Sequence, residues 1–369
     1  MSSNKNILFM VGGSYVAGAE ITTLNLIRDL HLKGYHVFVI VSSWNDGDFI
    51  QRLGQYGIPY QDIKLGFIFI TKPFWTLDSL VNYPKAFLQV KKIIKNFKPN
   101  CIFHSSYRTF IMVYPLLKGL KNIYLEHNNP TISQKNFKLY NFLSNKIHHF
   151  VCPSQTVRKT LLELNVPPAK IKIIPSPIDP EFRGQTVLNH LENEVARIGI
   201  VGQIHAEKGF DFIFDELVKV TEPYQLYIYG DDHGEYARSL KLNMPDILKN
   251  KVNWMGYVKN RLEIYQQLDI VLFPSLSESF GRIIIEAGAF GIPIIASDID
   301  SFKEIIVPGE TGFLFKLSNT GELPQILDHL LSDKSLRKKI GSNAQTFILN
   351  NFTSEKCTKE YENLIAAKN

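Results

Sequence analysis

Short runs of consecutive apolar residues alternate along this chain with longer stretches in which apolar positions recur every three or four residues. That alternation predicts parallel strands covered on both faces by helices. Residues 7–11 predict a first strand, 20–32 an amphipathic helix and 37–41 a second strand, followed by strands at 101–104, 123–126, 150–152 and 171–174. A second series starts at residue 197 and continues through 225–229, 252–255, 270–273, 292–296 and 313–315. Between the two series, Pro175, Pro177 and Pro180 stiffen a segment that turns polar through about residue 194, the composition of a linker. Phe352, Tyr361, Leu364 and Ile365 predict a last helix. No period of 20 to 50 residues recurs, which argues against a solenoid.

At 369 residues and 45% hydrophobic content the chain is long enough for two cores and has a globular composition. Cys101, Cys152 and Cys357 are odd in number and widely spaced, so neither a disulfide framework nor a metal-site pattern is expected, and a reducing compartment is. No uncharged apolar run approaches the roughly 18 residues a spanning helix needs, and the chain enters a strand by Ile7 without a signal-type segment. A cytoplasmic protein is expected. Charge is unevenly divided: residues 1–180 hold 21 Lys and Arg against 9 Asp and Glu, and the remainder 20 against 26. A basic first half suits an anionic membrane surface or a phosphate-bearing acceptor, or serves solubility alone. The basic residues are scattered through an α/β pattern, which excludes a recognisable nucleic-acid module.

Two sites have the form of anion holders. Gly12, Gly13 and Gly18 lie between the first strand and the helix after it, where glycines admit a ligand to the backbone and the helix directs N–H groups at an anion; an ordinary tight turn is the other reading. The spacing is not G-x-G-x-x-G, and the second strand ends in Val41-Ser42-Ser43 where a dinucleotide site needs an acid, so a nicotinamide oxidoreductase is disfavoured. Glu278 and Glu286 bracket a predicted helix start near Phe280, where unpaired N–H groups and the dipole favour a phosphate and the carboxylates suit sugar and ribose hydroxyls; a solvated helix face is the other reading of the pair alone.

Glu278 to Glu286 reads as an E-x7-E signature, followed by Gly291-Ile-Pro-Ile-Ile-Ala-Ser297 and Pro308-Gly-Glu-Thr-Gly-Phe-Leu314. Upstream stand Val201-Gly-Gln-Ile-His-Ala-Glu-Lys-Gly209 and Ile174-Pro-Ser-Pro-Ile-Asp179. In these five ordered blocks the chain resembles the family 4 retaining glycosyltransferases. The resemblance implies an α/β protein of the GT-B fold: two facing Rossmann-like domains with parallel sheets and a cleft between them. Residues 1–180 would form the acceptor domain, joined by a crossover helix at 350–369, and residues 181–349 the donor domain.

The same resemblance implies transfer of a hexosyl-type group from a nucleoside diphosphate sugar, UDP ahead of GDP, to an acceptor hydroxyl with retention of configuration. Envelope or surface glycan and glycolipid synthesis is the expected setting. Lys208 would neutralise the leaving diphosphate, Glu278 hold sugar hydroxyls, Glu286 the ribose, and His127 touch the sugar or steer the acceptor. Gly13, Gly18, Gln203, Ser279, Phe280, Gly281 and Arg282 complete the expected donor contacts. An arginine usual in the family is Gln203 here; an amide donates hydrogen bonds but carries no charge, which leaves Arg282 or His205 to compensate. No cofactor and no metal is implied by the resemblance, in which these cations serve instead. The base is expected against residues 230–233 and 254–257, and domain closure about residues 175–194 to exclude water. An epimerase or phosphorylase on the same architecture, or an inactive donor-binding subunit, is the alternative.

Partner recognition belongs to the first half. Residues 83–97 predict a helix with Phe87, Val90, Ile94 and Phe97 on one face and Lys85, Lys92 and Lys95 elsewhere, beside an aromatic and cationic stretch at 65–75. Either these dock peripherally on an anionic membrane bearing a lipid-linked acceptor, or the helix covers its sheet with lysines facing water and residues 66–70 form a strand.

Overall fold

The computed structural model describes residues 5–13, 16, 18–42, 44, 47–66, 73–185 and 195–367. The chain divides into two compact units, Met1–Ser176 with Ser354–Asn369, and Pro177–Thr353.

The first unit is built on an all-parallel sheet of Asn6–Val11 (β1), His36–Ser42 (β2), Tyr60–Ile63 (β3), Cys101–His104 (β4), Lys121–Leu125 (β5), His149–Cys152 (β6) and Ile171–Ile173 (β7), in the order β3-β2-β1-β4-β5-β6-β7. Central strands β1, β4 and β5 are buried almost throughout, as strands covered on both faces must be. One face carries Leu24, Ile27 and Leu30 of helix Gly18–Leu32 together with Tyr361, Leu364 and Ile365 of helix Ser354–Ala366. The other carries Ala86 and Val90 of helix Pro73–Phe97 with Phe110, Tyr140, Leu143, Val157 and Leu161.

Two elements depart from expectation. β3 has no apolar run to announce it: Tyr60 and Asp62 are exposed and only Ile63 is buried, which an edge strand tolerates because half its backbone is unpaired by sheet. The helix expected at 83–97 begins ten residues earlier at Pro73 and runs through Pro84. Val90, Ile94 and Phe97 do pack inward, joined by Ala86, whereas Phe87 is half-buried and its ring lies 5.8 Å from Tyr83. The strand considered at 66–70 lies outside the described residues apart from Gly66.

The second unit repeats the plan with six strands, Ala196–Val201 (β8), Tyr224–Tyr229 (β9), Val252–Gly256 (β10), Ile270–Phe273 (β11), Ile294–Ser297 (β12) and Phe313–Phe315 (β13), in the order β10-β9-β8-β11-β12-β13. All pairs are parallel. Of the linker prolines, Pro175 lies in the first unit and Pro177 and Pro180 in the second. The physical reason lies in the next residues: Ile178 N donates to Phe352 O at 2.8 Å, and Asp179 is held by two arginines of the second unit. Linker residues 186–194 lie outside the described residues.

In each sheet the strand order reverses between the first strand and its fourth-listed neighbour in sequence, β1 beside β4 and β8 beside β11. Crossovers leave that point on opposite sides of the sheet and open a crevice beyond the strands' carboxyl ends, where open α/β sheets bind ligands.

Candidate functional site

The loops after β8 and β11 meet at that reversal point of the second sheet. After β8 the chain makes a short turn, Ala206–Lys208, which Gly209 ends at φ +71°. A Cβ on Gly209 would lie 2.2 Å from the carbonyl oxygen of Pro274, so only glycine lets this turn rest on the loop after β11. Leu276 N donates to Glu207 O at 2.8 Å and locks the two loops together. As a result Lys208, 70 residues away in sequence, makes an ion pair and hydrogen bond from Nζ to Glu278 Oε1. Both side chains keep about a fifth of their surface in solvent, 20% and 22%. Ser275 Oγ donates to the same carboxylate oxygen at 3.4 Å.

The helix that follows is Arg282–Ala289, two residues later than the sequence pattern predicts, because Gly281 sits at φ +96° and cannot be helical. The ring of Phe302 occupies the space a Cβ on Gly281 would take, at 2.8 Å from Cε1. Phe280 turns its ring into the core against Phe352, so any ligand contact at this position comes from its backbone. Ser279 and Gly281 are partly exposed beside it. Ile284 N is bonded to Gly281 O at 3.0 Å, and the helix start ahead of it faces this loop with the positive end of the dipole.

Glu286 is 1% exposed. Arg261 Nη1 and Arg282 Nη2 pair with its Oε1, the latter at 3.4 Å, and Tyr265 donates to Oε2 at 3.0 Å. The same arginines hold Asp179 at 2.6 and 3.0 Å. Burial pushes the Glu286 carboxyl up and outweighs the two cations, while for Arg261 the pull of Glu286 and Asp179 overcomes burial and holds the guanidinium charged. A ribose hydroxyl at Glu286 has to join or displace partners already in place. Arg282, expected to stand in for the charge missing at Gln203, is committed to two buried carboxylates. Gln203 itself is exposed and His205 partly buried, on the same loop as Lys208.

Where the base is expected, the ring of Trp254 packs on Phe214 at 6.4 Å, whereas Met255 and Tyr257 are 42% and 76% exposed. Asp231, Asp232 and His233 of the adjoining loop offer atoms within 4.8 Å of one another, but Lys241 already neutralises Asp232 at 2.5 Å.

In the first unit the close approach after β1 falls on Gly12, one residue before the expected Gly13. A Cβ there would lie 2.5 Å from that of Ser106, and Gly12 N donates to Ser105 Oγ at 3.2 Å. Gly13 is buried and Gly18 is exposed as the first residue of its helix; Ser14, Tyr15 and Ala17 lie outside the described residues. His127, just past β5, shares a 2.9 Å hydrogen bond between Nε2 and Thr23 Oγ1. Beside it Glu126 is 5% exposed, receives a hydrogen bond from Tyr140 Oη and accepts from Asn128 N at 3.3 Å. Burial raises the Glu126 carboxyl to about 7 against the lowering effect of these bonds. A small cavity touches Thr22, Glu126, His127, Cys152, Ser176 and Tyr361. His104 is buried, its Nε2 2.9 Å from Asn122 Oδ1, so it serves the core.

Residues 188–347 match the family described as Glycosyl transferases group 1, and residues 16–182 that described as Glycosyltransferase Family 4. The chain belongs to the family 4 glycosyltransferases. Among curated relatives it is similar to the O-antigen biosynthesis glycosyltransferase WclY of Escherichia coli, 24% identical over 97% of both chains. It is also similar to the capsular polysaccharide biosynthesis glycosyltransferase CapM of Staphylococcus aureus, 27% identical over 47% of each. In CapM and two further relatives the alignment spans between 38% and 59% of the relative's length, about half. Among solved structures, Anabaena Alr3699/HepE in complex with UDP aligns over 98% of this chain and 99% of its own with a TM-score of 0.83 at 18% identity. The fold is GT-B.

Within this family 4 chain, several partners of the expected residues had no sequence signal. Arg261 and Tyr265 lie 25 and 21 residues before Glu286, at spacings no local pattern links. Asp179 stood inside a recognised block, yet nothing in its neighbours announces two arginines.

Proposed function

We propose that this protein transfers a sugar from a nucleoside diphosphate sugar, with UDP as the favoured carrier, to a saccharide or lipid-linked hydroxyl with retention of anomeric configuration, in envelope or surface glycan synthesis. The observation that carries the reading is the Lys208–Glu278 pair, set at the strand-order reversal of the second sheet beside the mouth of helix Arg282–Ala289. A cation and a carboxylate in one partly exposed place match the two ends of an activated sugar. Family membership and the glycan-building relatives WclY and CapM support it, as do the HepE structures in complex with UDP and with UDP-glucose.

As donor enters, Lys208 moves from Glu278 to the diphosphate, and the freed carboxylate accepts hydrogen bonds from sugar hydroxyls. N–H groups from Gly281 onward receive the phosphate oxygens. Negative charge grows on the leaving diphosphate as the glycosidic bond breaks, and these fixed donors stabilise it without rearranging. The acceptor hydroxyl attacks from the leaving-group face and gives its proton to the departing phosphate oxygen, so no protein nucleophile is needed. His127, oriented by Thr23, is assigned to contact with the sugar or acceptor. No metal takes part in this scheme.

Thermal stabilisation should be screened against UDP, GDP and ADP sugars, where a ligand at 100 times its dissociation constant adds about 2.7 kcal/mol. The leading donor is then supplied with saccharide acceptors in EDTA, and product configuration read by NMR. Stabilisation by no nucleotide, or by one equally in Lys208→Ala, overturns the reading; an inverted product, or donor turnover abolished by EDTA, overturns the mechanism.

A further inference from the structure

Helix Pro73–Phe97 buries one face and leaves a second apolar stripe bare. Ser79, Ala86 and Val90 lie on the buried side. Opposite them Phe74, Leu77, Val81 and Leu88 are 83%, 61%, 71% and 63% exposed, with Pro84 also exposed. Their spacing of three and four residues places all five in one line along the helix, about 21 Å long at 1.5 Å per residue. A water-facing helix surface is ordinarily polar, and a continuous apolar line on it marks a contact.

The charges around the stripe say what it contacts. Lys85, Lys92 and Lys95 continue the same side toward the carboxyl end, Lys91 flanks it, and all four are exposed. The helix has one acid, Asp78, and Lys64 neutralises it at 2.9 Å. Residues 1–180 carry the chain's excess of positive charge. Apolar side chains in line with uncompensated lysines suit a surface that is apolar beneath and anionic on top. No helix among the described residues is long and apolar enough to cross a membrane.

We propose that helix Pro73–Phe97 docks this protein on an anionic lipid surface, with Phe74, Leu77, Val81 and Leu88 inserted at the headgroup boundary and Lys85, Lys91, Lys92 and Lys95 paired with lipid phosphates. This differs from docking by Phe87, Val90, Ile94 and Phe97, since three of those pack in the core. The site sits apart in sequence from Lys208 and Glu278, so its failure leaves donor chemistry untouched.

The test is co-sedimentation of the full chain with vesicles of phosphatidylglycerol and phosphatidylcholine, against phosphatidylcholine alone. Binding is expected only with phosphatidylglycerol and should weaken as salt rises. Replacing Lys92→Gln and Lys95→Gln together should weaken it about thirty-fold. Val81→Ser with Leu88→Ser should weaken it by at least about tenfold. Both pairs are exposed, so the melting temperature and donor-induced stabilisation should stay at wild-type values. Absence of vesicle binding, binding equal in wild type and both variants, or a wild-type dimer that Val81→Ser with Leu88→Ser converts to monomer overturns the proposal, the last in favour of a second copy as occupant.

Discussion

Lys208 and Glu278 are each other's partners, joined from Nζ to Oε1 across two loops that follow different strands of one sheet. The lysine charge is therefore balanced before any donor arrives, and a diphosphate competes with Glu278 for it. Lys208→Ala should slow transfer by a factor on the order of 100 to 1,000, the effect of deleting one donor to a developing anion. Glu278→Gln should do the opposite to product affinity: with Lys208 released, free UDP binds more tightly while turnover falls. Calorimetry with UDP alongside steady-state rates separates the two, and weaker UDP binding by Glu278→Gln argues against competition.

Tyr140 and Glu126 give the first unit a titration of its own. The folded Glu126 carboxyl titrates near 7, above its unfolded value of about 4.5. Between those values the folded protein holds a proton that the unfolded chain has lost, so stability falls as pH rises from about 4.5 to 7 and levels off above it. The amplitude from this group is on the order of 3 kcal/mol. Glu126→Gln should remove that slope from melting curves recorded between pH 4.5 and 8. Because Glu126 also receives Asn128 N, two residues from it and one past His127, the variant should move the acceptor KM more than donor affinity.

The quartet Asp179, Arg261, Arg282 and Glu286 balances two acids against two cations out of water. Arg261→Met leaves Glu286 buried with fewer partners, and deleting one side of such a pair costs about 3–5 kcal/mol. At about 2–4 °C per kcal/mol for a unit of this size, the melting temperature should fall by roughly 10 °C. A variant that melts with wild type would show the network to be dispensable.

Gly209→Ala and Gly281→Ala should each damage the donor site from a distance. Both positions have positive φ and both meet an obstacle to a Cβ, the Pro274 carbonyl at 2.2 Å and the Phe302 ring at 2.8 Å. The left-handed backbone alone costs about 1–2 kcal/mol with a side chain. Gly209→Ala should show the larger loss of UDP affinity, since a carbonyl oxygen yields less than a ring edge; calorimetry of both variants checks the order.

How far the sequence could be read followed from how local each signal was. β11 and β13 begin and end where their apolar runs do, because a strand buried on both faces is written as consecutive apolar residues. β3 carries no legible sequence signal because an edge strand needs one buried side chain, Ile63, and little else. The start of helix Pro73–Phe97 is not legible in the sequence because Phe74, Leu77 and Val81 face outward and blur the inward period. Lys208 and Glu278 were named from motif alone, whereas their contact needed the β8 and β11 loops to be brought together by Gly209.

Covalent pattern by itself determined the parallel α/β plan, the family and the residue types at the donor site, since hydrophobic period, glycine position and short motifs are properties of neighbours along the chain. Tertiary structure decided which charges are already answered. Arg282 and Glu286 stand four residues apart in sequence, yet their commitment to Asp179, Arg261 and Tyr265 arises from segments that meet only when the second unit folds. Electrostatic partnership depends on distance and burial, and neither is set until the chain is packed.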